Sequence, residues 1–243
     1  GREAEAILRS CVHCGFCTAA CPTYQLTGDE LDGPRGRIYF IKQVMEGAAV
    51  SDHTQRHLDR CLHCLSCETA CPSGVHYGHL VDYGRELMEA RAPRKSSVRL
   101  LRRLLRWVLP YPRRFATLLR TGQRLRPLLP PALRAKLPPP QSAGDWPAAP
   151  HARRMLVLEG CVQSVATPAT NAAAARVLDR LGISLIRAAG AGCCGALDHH
   201  LAAGDEALAF ARRNIDVWWP HVEQGVEAVI MTASGCGAHI KDY

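Results

Sequence analysis

No stretch of this 243-residue chain comes near the ~20 consecutive apolar residues that a membrane-spanning helix needs. It also lacks an N-terminal segment with a basic start, an apolar run and a small-residue cleavage site, which argues against export. No G-x-G-x-x-G follows a strand pattern and no phosphate loop occurs, so neither an FAD nor an NAD site is expected. No Ser/His/Asp arrangement can be assembled for nucleophilic catalysis. Aromatic residues make up only 6% of the chain, and no aromatic platform is interleaved with the basic residues, which speaks against nucleic-acid binding. Residues 90–144 contain no acidic residue at all.

What the chain has is cysteine, 12 in all. Without an export signal these do not read as a disulfide scaffold, because intracellular thiols are kept reduced, and metal or cluster ligation is the better expectation. Eight of them form an internal repeat. Leu8-Arg-Ser-Cys-Val-His-Cys-Gly-Phe-Cys-Thr-Ala-Ala-Cys-Pro22 matches Leu58-Asp-Arg-Cys-Leu-His-Cys-Leu-Ser-Cys-Glu-Thr-Ala-Cys-Pro72 at an offset of 50 residues, with every cysteine, the histidine and the proline in register.

Both copies follow the C-x2-C-x2-C-x3-C-P spacing of bacterial ferredoxins. Three thiolates at close intervals on a loop reach three irons of one cubane, and the fourth, carried off by a helical turn and a proline, reaches the other. The expected ligands are Cys11, Cys14, Cys17 and Cys71 for one [4Fe-4S] cluster, and Cys61, Cys64, Cys67 and Cys21 for a second. Zinc, which takes cysteines in pairs around a tetrahedron, fits a triplet plus Cys-Pro poorly. His13 and His63, inside the motifs, are expected to pack near a cluster or to hydrogen-bond a sulfur and tune its potential.

Between the motifs, Asp32-Gly-Pro-Arg-Gly36 signals a turn, with helices expected over 37–45 and 76–90. Residues 90–144 carry 14 of the 30 Lys and Arg residues, leaving 16 basic against 22 acidic residues elsewhere. In this connector Val98, Leu101, Leu104, Leu105 and Val108 recur at helical spacing among arginines, and prolines then interrupt any long helix. A solvated surface, a partner-docking surface and an interfacial helix on an anionic membrane all suit it, the latter two more than nucleic acid.

From residue 154 the pattern alternates: strands over 155–158, 183–186 and 228–232, helices over 169–181 and 205–222. Such alternation implies a parallel sheet with right-handed crossovers. The remaining cysteines follow the three strands: Cys161, then Cys193 and Cys194, then Cys236. A parallel sheet gathers those positions at one edge, where α/β proteins place ligands. They are expected to form a third iron–sulfur cluster or a redox-active thiol site rather than a set of buried small hydrophobes.

These residues resemble the iron–sulfur subunit family of bacterial glycolate oxidase (glycolate dehydrogenase). The likeness is carried by the stretch from Cys11 to Leu26, by Gly28-Asp-Glu-Leu-Asp-Gly-Pro-Arg-Gly-Arg-Ile-Tyr39, by Asn171 to Gly182, by Asn214-Ile-Asp-Val-Trp-Trp-Pro220 and by Thr232-Ala-Ser-Gly-Cys-Gly237. The resemblance implies an α-helical ferredoxin domain over 1–92, a basic Pro-rich linker over 93–150, and an α/β cysteine-rich (CCG) domain over 151–243. It implies no catalytic residue in this chain, but an electron-transfer subunit of an oxidoreductase. A flavin-containing partner would oxidise glycolate to glyoxylate, with electrons passing towards quinone at the inner face of the cytoplasmic membrane.

Iron–sulfur subunits of lactate or anaerobic glycerol-3-phosphate dehydrogenases share the same parts, as do heterodisulfide-reductase-like thiol/disulfide enzymes. Two departures stand out. Cys236-Gly-Ala-His239 ends in histidine where the family motif in its fullest form has a second cysteine. The second cysteine-rich repeat usual in the family is absent from these residues, so the chain reads as a fragment, truncated on its C-terminal side.

Overall fold

A computed structural model describes all residues, Gly1–Tyr243, and the chain falls into two compact units. The first comprises Gly1–Arg99 with His199–Ala202, and the second Leu100–Asp198 with Ala203–Tyr243.

The first unit is helical. Its main helices are Arg2–Ser10, Pro34–Met45, Asp52–Asp59 and Tyr77–Arg91. The Pro34–Met45 helix starts three residues ahead of its expected position because Pro34, with its fixed φ and absent N–H, suits the first turn. Ser51 caps the next helix, its hydroxyl accepting the Thr54 N–H at 3.1 Å. Ile38, Ile41, Val44, Leu58, Leu80, Val81 and Met88 form the core. Gly84 lets two helices approach closely: a Cβ there would meet Ile41 Cγ1 at 2.6 Å.

A buried charge network ties the Asp32 turn to this core. Asp32 is fully buried and accepts from His57 Nδ1 at 2.7 Å and Arg60 Nη1 at 2.8 Å, while Arg37 Nε donates to the His57 carbonyl at 2.7 Å. Burial would raise the Asp32 carboxyl, but His57 and Arg60 hold it below its ordinary value.

The connector starts in the last residues of the first unit and continues in the second. Prolines divide it into helices Ser96–Val108 and Pro112–Arg124, followed by a single turn at Pro131–Arg134. No residue of the Ser96–Val108 helix is buried, so Leu100, Leu101, Leu104 and Trp107 stay exposed. No helix of the chain is long and apolar enough to cross a membrane.

Next come β1 (Arg153–Leu158), helix Pro168–Arg180, β2 (Ile183–Arg187), helix Gly204–Glu223 and β3 (Val229–Met231). The sheet is parallel throughout, in the order β2-β1-β3. Leu156 faces Ile186 on one side and Val229 on the other. The central strand is the apolar one, with Leu156, Val157 and Leu158 buried, as a strand covered on both faces requires. The fold is thus a helical ferredoxin-type region, a basic connector and an α/β region with a parallel sheet. Two short helices, Ala196–His200 and Ser234–Ile240, leave no periodic signal because each is under two turns or near it.

Candidate metal centres

Each repeat motif folds as a loop running into one helical turn, Phe16–Ala19 or Ser66–Thr69, and the two turns pack against each other. Each loop needs left-handed backbone. Gly15 adopts it at φ 86°, while the second copy places Leu65 there at φ 58°. His13 and His63 also have positive φ, at 54° and 51°.

The packing crosses the two motifs over. One cavity is lined by Cys11, Cys14, Cys17 and Cys71, the first three cysteines of the first copy with the last of the second. The other is lined by Cys61, Cys64 and Cys67 with Cys21. Tyr77, Pro34 and Cys67 line both, so the two cavities are neighbours. Burial pushes the Cys67 thiol up to about 12, and the adjoining cysteines add to that effect. A thiol so placed ionises only when a cation takes the proton's place, as iron does. The donor chemistry of both cavities fits an iron–sulfur group.

The surroundings of the two cavities differ. Tyr77, buried, donates its O–H to Cys61 Sγ at 3.6 Å, and burial keeps the phenol protonated. Thr23 Oγ1 lies 3.2 Å from Cys21 Sγ, with Arg37 donating to that hydroxyl at 3.2 Å. Both contacts belong to the cavity of the second motif. The expectation that His63 packs against a cluster sulfur or bonds to one is only half met: it lines this cavity, yet its Nε2 turns to Asp82, 3.0 Å away.

In the second unit the sheet gathers the other four cysteines after the three strands. Cys161 hydrogen-bonds Cys193, Cys193 bonds Cys194, and Cys194 bonds Cys236. Hydrogen bonding with Cys193 and Cys236 pulls the Cys194 thiol below its ordinary value, while those two are raised. A lowered thiol among three neighbouring sulfurs suits a cluster or a thiol redox centre.

Two buried asparagines hold this arrangement, and sequence reasoning missed the role of both. Asn214 Oδ1 accepts the Gly192 N–H at 2.9 Å, and its Nδ2 donates to the Cys193 carbonyl at 2.9 Å. Tyr243 O–H donates to the Cys194 carbonyl at 2.5 Å. Asn171 Nδ2 donates to the Glu159 carbonyl at 2.9 Å, and its Oδ1 accepts from Thr232 at 2.6 Å, joining the Cys161 loop to the end of β3. The available signal was a polar residue on the otherwise apolar inner face of each crossover helix. Gly195 is needed for space and conformation: at φ 89°, a Cβ would meet the Ala207 carbonyl oxygen at 2.9 Å.

Comparison with known proteins agrees with this division. Residues 7–75 match the family of 4Fe-4S dicluster domains, and residues 155–241 match the cysteine-rich domain family. The chain is 60% identical over 242 residues to the glycolate oxidase iron–sulfur subunit of Escherichia coli (strain K12), an alignment covering 99% of this chain. It is 31% identical over 271 aligned positions to the probable glycolate oxidase iron–sulfur subunit of Bacillus subtilis (strain 168), covering 100% of this chain. The chain spans 60% of the length of each of these relatives. No solved structure matches it.

Proposed function

From a chain that joins a 4Fe-4S dicluster domain to a cysteine-rich domain, and is related along its whole length to iron–sulfur subunits of glycolate oxidase, we propose an electron-transfer subunit of a glycolate-oxidising complex. A flavin partner would take two electrons from glycolate to give glyoxylate, and this chain would carry them singly towards a quinone. The observation that carries the reading is the crossover of the motifs, with Cys71 beside the first triplet and Cys21 beside the second.

Cys11, Cys14, Cys17 and Cys71 would hold one [4Fe-4S] cluster, and Cys61, Cys64, Cys67 and Cys21 the other. When bound, such clusters supply one-electron carriers whose potentials follow hydrogen bonding and burial. The residues around them do the rest. Tyr77 and Pro34 line both cavities. Tyr77 directs its hydroxyl at Cys61 Sγ, and Thr23 Oγ1 lies against Cys21 Sγ while donating to the Asp32 carbonyl at 2.7 Å. Cys161, Cys193, Cys194 and Cys236 would hold a third cluster in the region 151–243.

A thiol/disulfide role for these last four is the second reading, favoured by the lowered Cys194 thiol beside Cys193 and Cys236. It predicts disulfide reduction by the isolated chain, lost in Cys194→Ala.

Docking to a partner or an anionic membrane is assigned to the connector, 93–150, where Leu100, Leu101, Leu104 and Trp107 stand exposed among arginines. Arg106 is not part of that surface charge, because Asp198 at 2.6 Å and Glu206 at 2.5 Å hold it.

The test is iron and acid-labile sulfide on anaerobically purified chain, with electron paramagnetic resonance after reduction. About eight irons with a coupled two-cluster signal support the two ferredoxin-type sites, and about twelve add the third. Zinc in place of iron sinks the electron-transfer reading. Co-purification with a flavoprotein that oxidises lactate or glycerol 3-phosphate, and not glycolate, sinks the substrate assignment.

A further inference from the structure

One cluster of polar side chains in the first unit takes no part in the cysteine sites. It centres on Asp82, on the Tyr77–Arg91 helix. Asp82 Oδ2 lies 3.0 Å from His63 Nε2 and 2.9 Å from His199 Nε2, and Oδ1 lies 3.5 Å from His200 Nδ1. The His63 side chain is 9% exposed and the Asp82 side chain 15%. His63 Nε2 and Asp82 Oδ1 are buried without a hydrogen-bond partner. The ligand-capable atoms of His63, Asp82 and His200 all fall within 4.8 Å of one another.

A buried imidazole nitrogen and carboxylate oxygen normally find partners, because an orphaned group keeps its full desolvation penalty. Here they face a shared point. The His63 ring presents Nε2 to that point, 3.0 Å from Asp82 Oδ2. Burial would raise the Asp82 carboxyl, yet the hydrogen bond with His199 at 2.9 Å helps hold it below its ordinary value. Two imidazole nitrogens and one carboxylate form a donor set suited to zinc, whose bonds to N and O of about 2.0–2.1 Å place neighbouring ligands of a tetrahedron roughly 3.3 Å apart. His63 Nε2 lies 3.0 Å from Oδ2 and His200 Nδ1 3.5 Å from Oδ1, so each imidazole sits at about that distance from one oxygen of the shared carboxylate.

We propose that His63, Asp82 and His200 bind one divalent zinc-type ion, and that His199 orients the carboxylate through its hydrogen bond. The site is separate from the cysteine sites and does not rest on the glycolate reading. Arg85 Nη1, 3.6 Å from Asp82 Oδ1, is the one cation that competes. Its Nη2 is committed to the carbonyls of Leu58 at 3.3 Å and Cys61 at 2.8 Å.

The test uses the anaerobically purified, cluster-loaded chain. It is given equimolar zinc sulfate and gel-filtered, and zinc and iron are then counted and zinc K-edge X-ray absorption recorded. The expected result is about one zinc per chain, with a nitrogen/oxygen shell near 2.0 Å and no sulfur near 2.3 Å. His63→Gln and His200→Gln should each lower retained zinc by more than about tenfold, since loss of even an outer-shell partner costs about 10–100-fold. Iron content is the control; His200→Gln decides should His63→Gln disturb the neighbouring Cys64. Failure to retain zinc overturns the proposal in favour of a plain histidine–aspartate hydrogen-bond network. A sulfur shell, or retention unchanged in His200→Gln, overturns it equally.

Discussion

The two cysteine-bearing regions hold their sulfurs by different means. In the first, short loops with left-handed residues set three sulfurs at a time, and the packing of two helical turns delivers the fourth from the other copy. In the second, no two of the three cysteine loops are neighbours in the chain, and a three-stranded sheet with two buried asparagines brings them together. A local scaffold can be duplicated and crossed over; a non-local one works only as a whole. The first site should therefore fail cysteine by cysteine, and the second as a unit.

The largest effect expected from this contrast is on iron content. Cys71→Ala combined with Cys14→Ala should lose no more iron than either single variant, because both belong to one site. Cys71→Ala combined with Cys64→Ala should lose iron from both. Equal loss in the two double variants would break the crossover.

Next is stability of the first unit. Asp32→Ala leaves His57 and the arginines around it without their buried counter-charge and should cost about 3–5 kcal/mol, read as a shift of the urea midpoint. A change confined to probes of the second unit would contradict the placement of this network.

Asn214→Ala orphans the Gly192 N–H and the Cys193 carbonyl, each costing about 1–3 kcal/mol, and should destabilise the second unit by about 2–4 kcal/mol. Its sharper readout is metal: any iron held by Cys161, Cys193, Cys194 and Cys236 should go together, with the first-unit signals intact.

Tyr77→Phe removes one O–H from Cys61 Sγ while keeping the ring between the cavities. In an anaerobic redox titration it should lower the potential of the second-motif cluster alone, at a stability cost of about 1 kcal/mol. A shift in the other cluster would mean that Tyr77 acts through packing.

Gly15→Ala should be the mildest change, about 1 kcal/mol by thermal melting. It puts a side chain at φ 86°, and its Cβ would meet Arg35 Nη1 at 3.2 Å. The second copy tolerates Leu65 in the same backbone region, so a much larger loss would show that the two loops are not equivalent.

Much of this was legible beforehand. Ligand spacing and the 50-residue repeat are local properties, and so are the strand–helix alternation and the breaks at prolines. What escaped was long-range. Asn171 and Asn214 look like ordinary polar helix residues until the loops they bond are folded around them. His63 reads as a neighbour of Cys64, although its ring turns to Asp82 on another helix. Arg106 reads as one of a row of surface arginines, yet two carboxylates from distant helices hold it.

The sequence by itself determined the cysteine spacing, the 50-residue repeat and where most helices and strands run, because spacing and periodicity act within a few residues. The tertiary structure alone decided which asparagines brace the cysteine-rich loops and that histidines far apart in the chain share one carboxylate. Those contacts depend on burial, which removes water as the competing partner and exists only once the elements have packed.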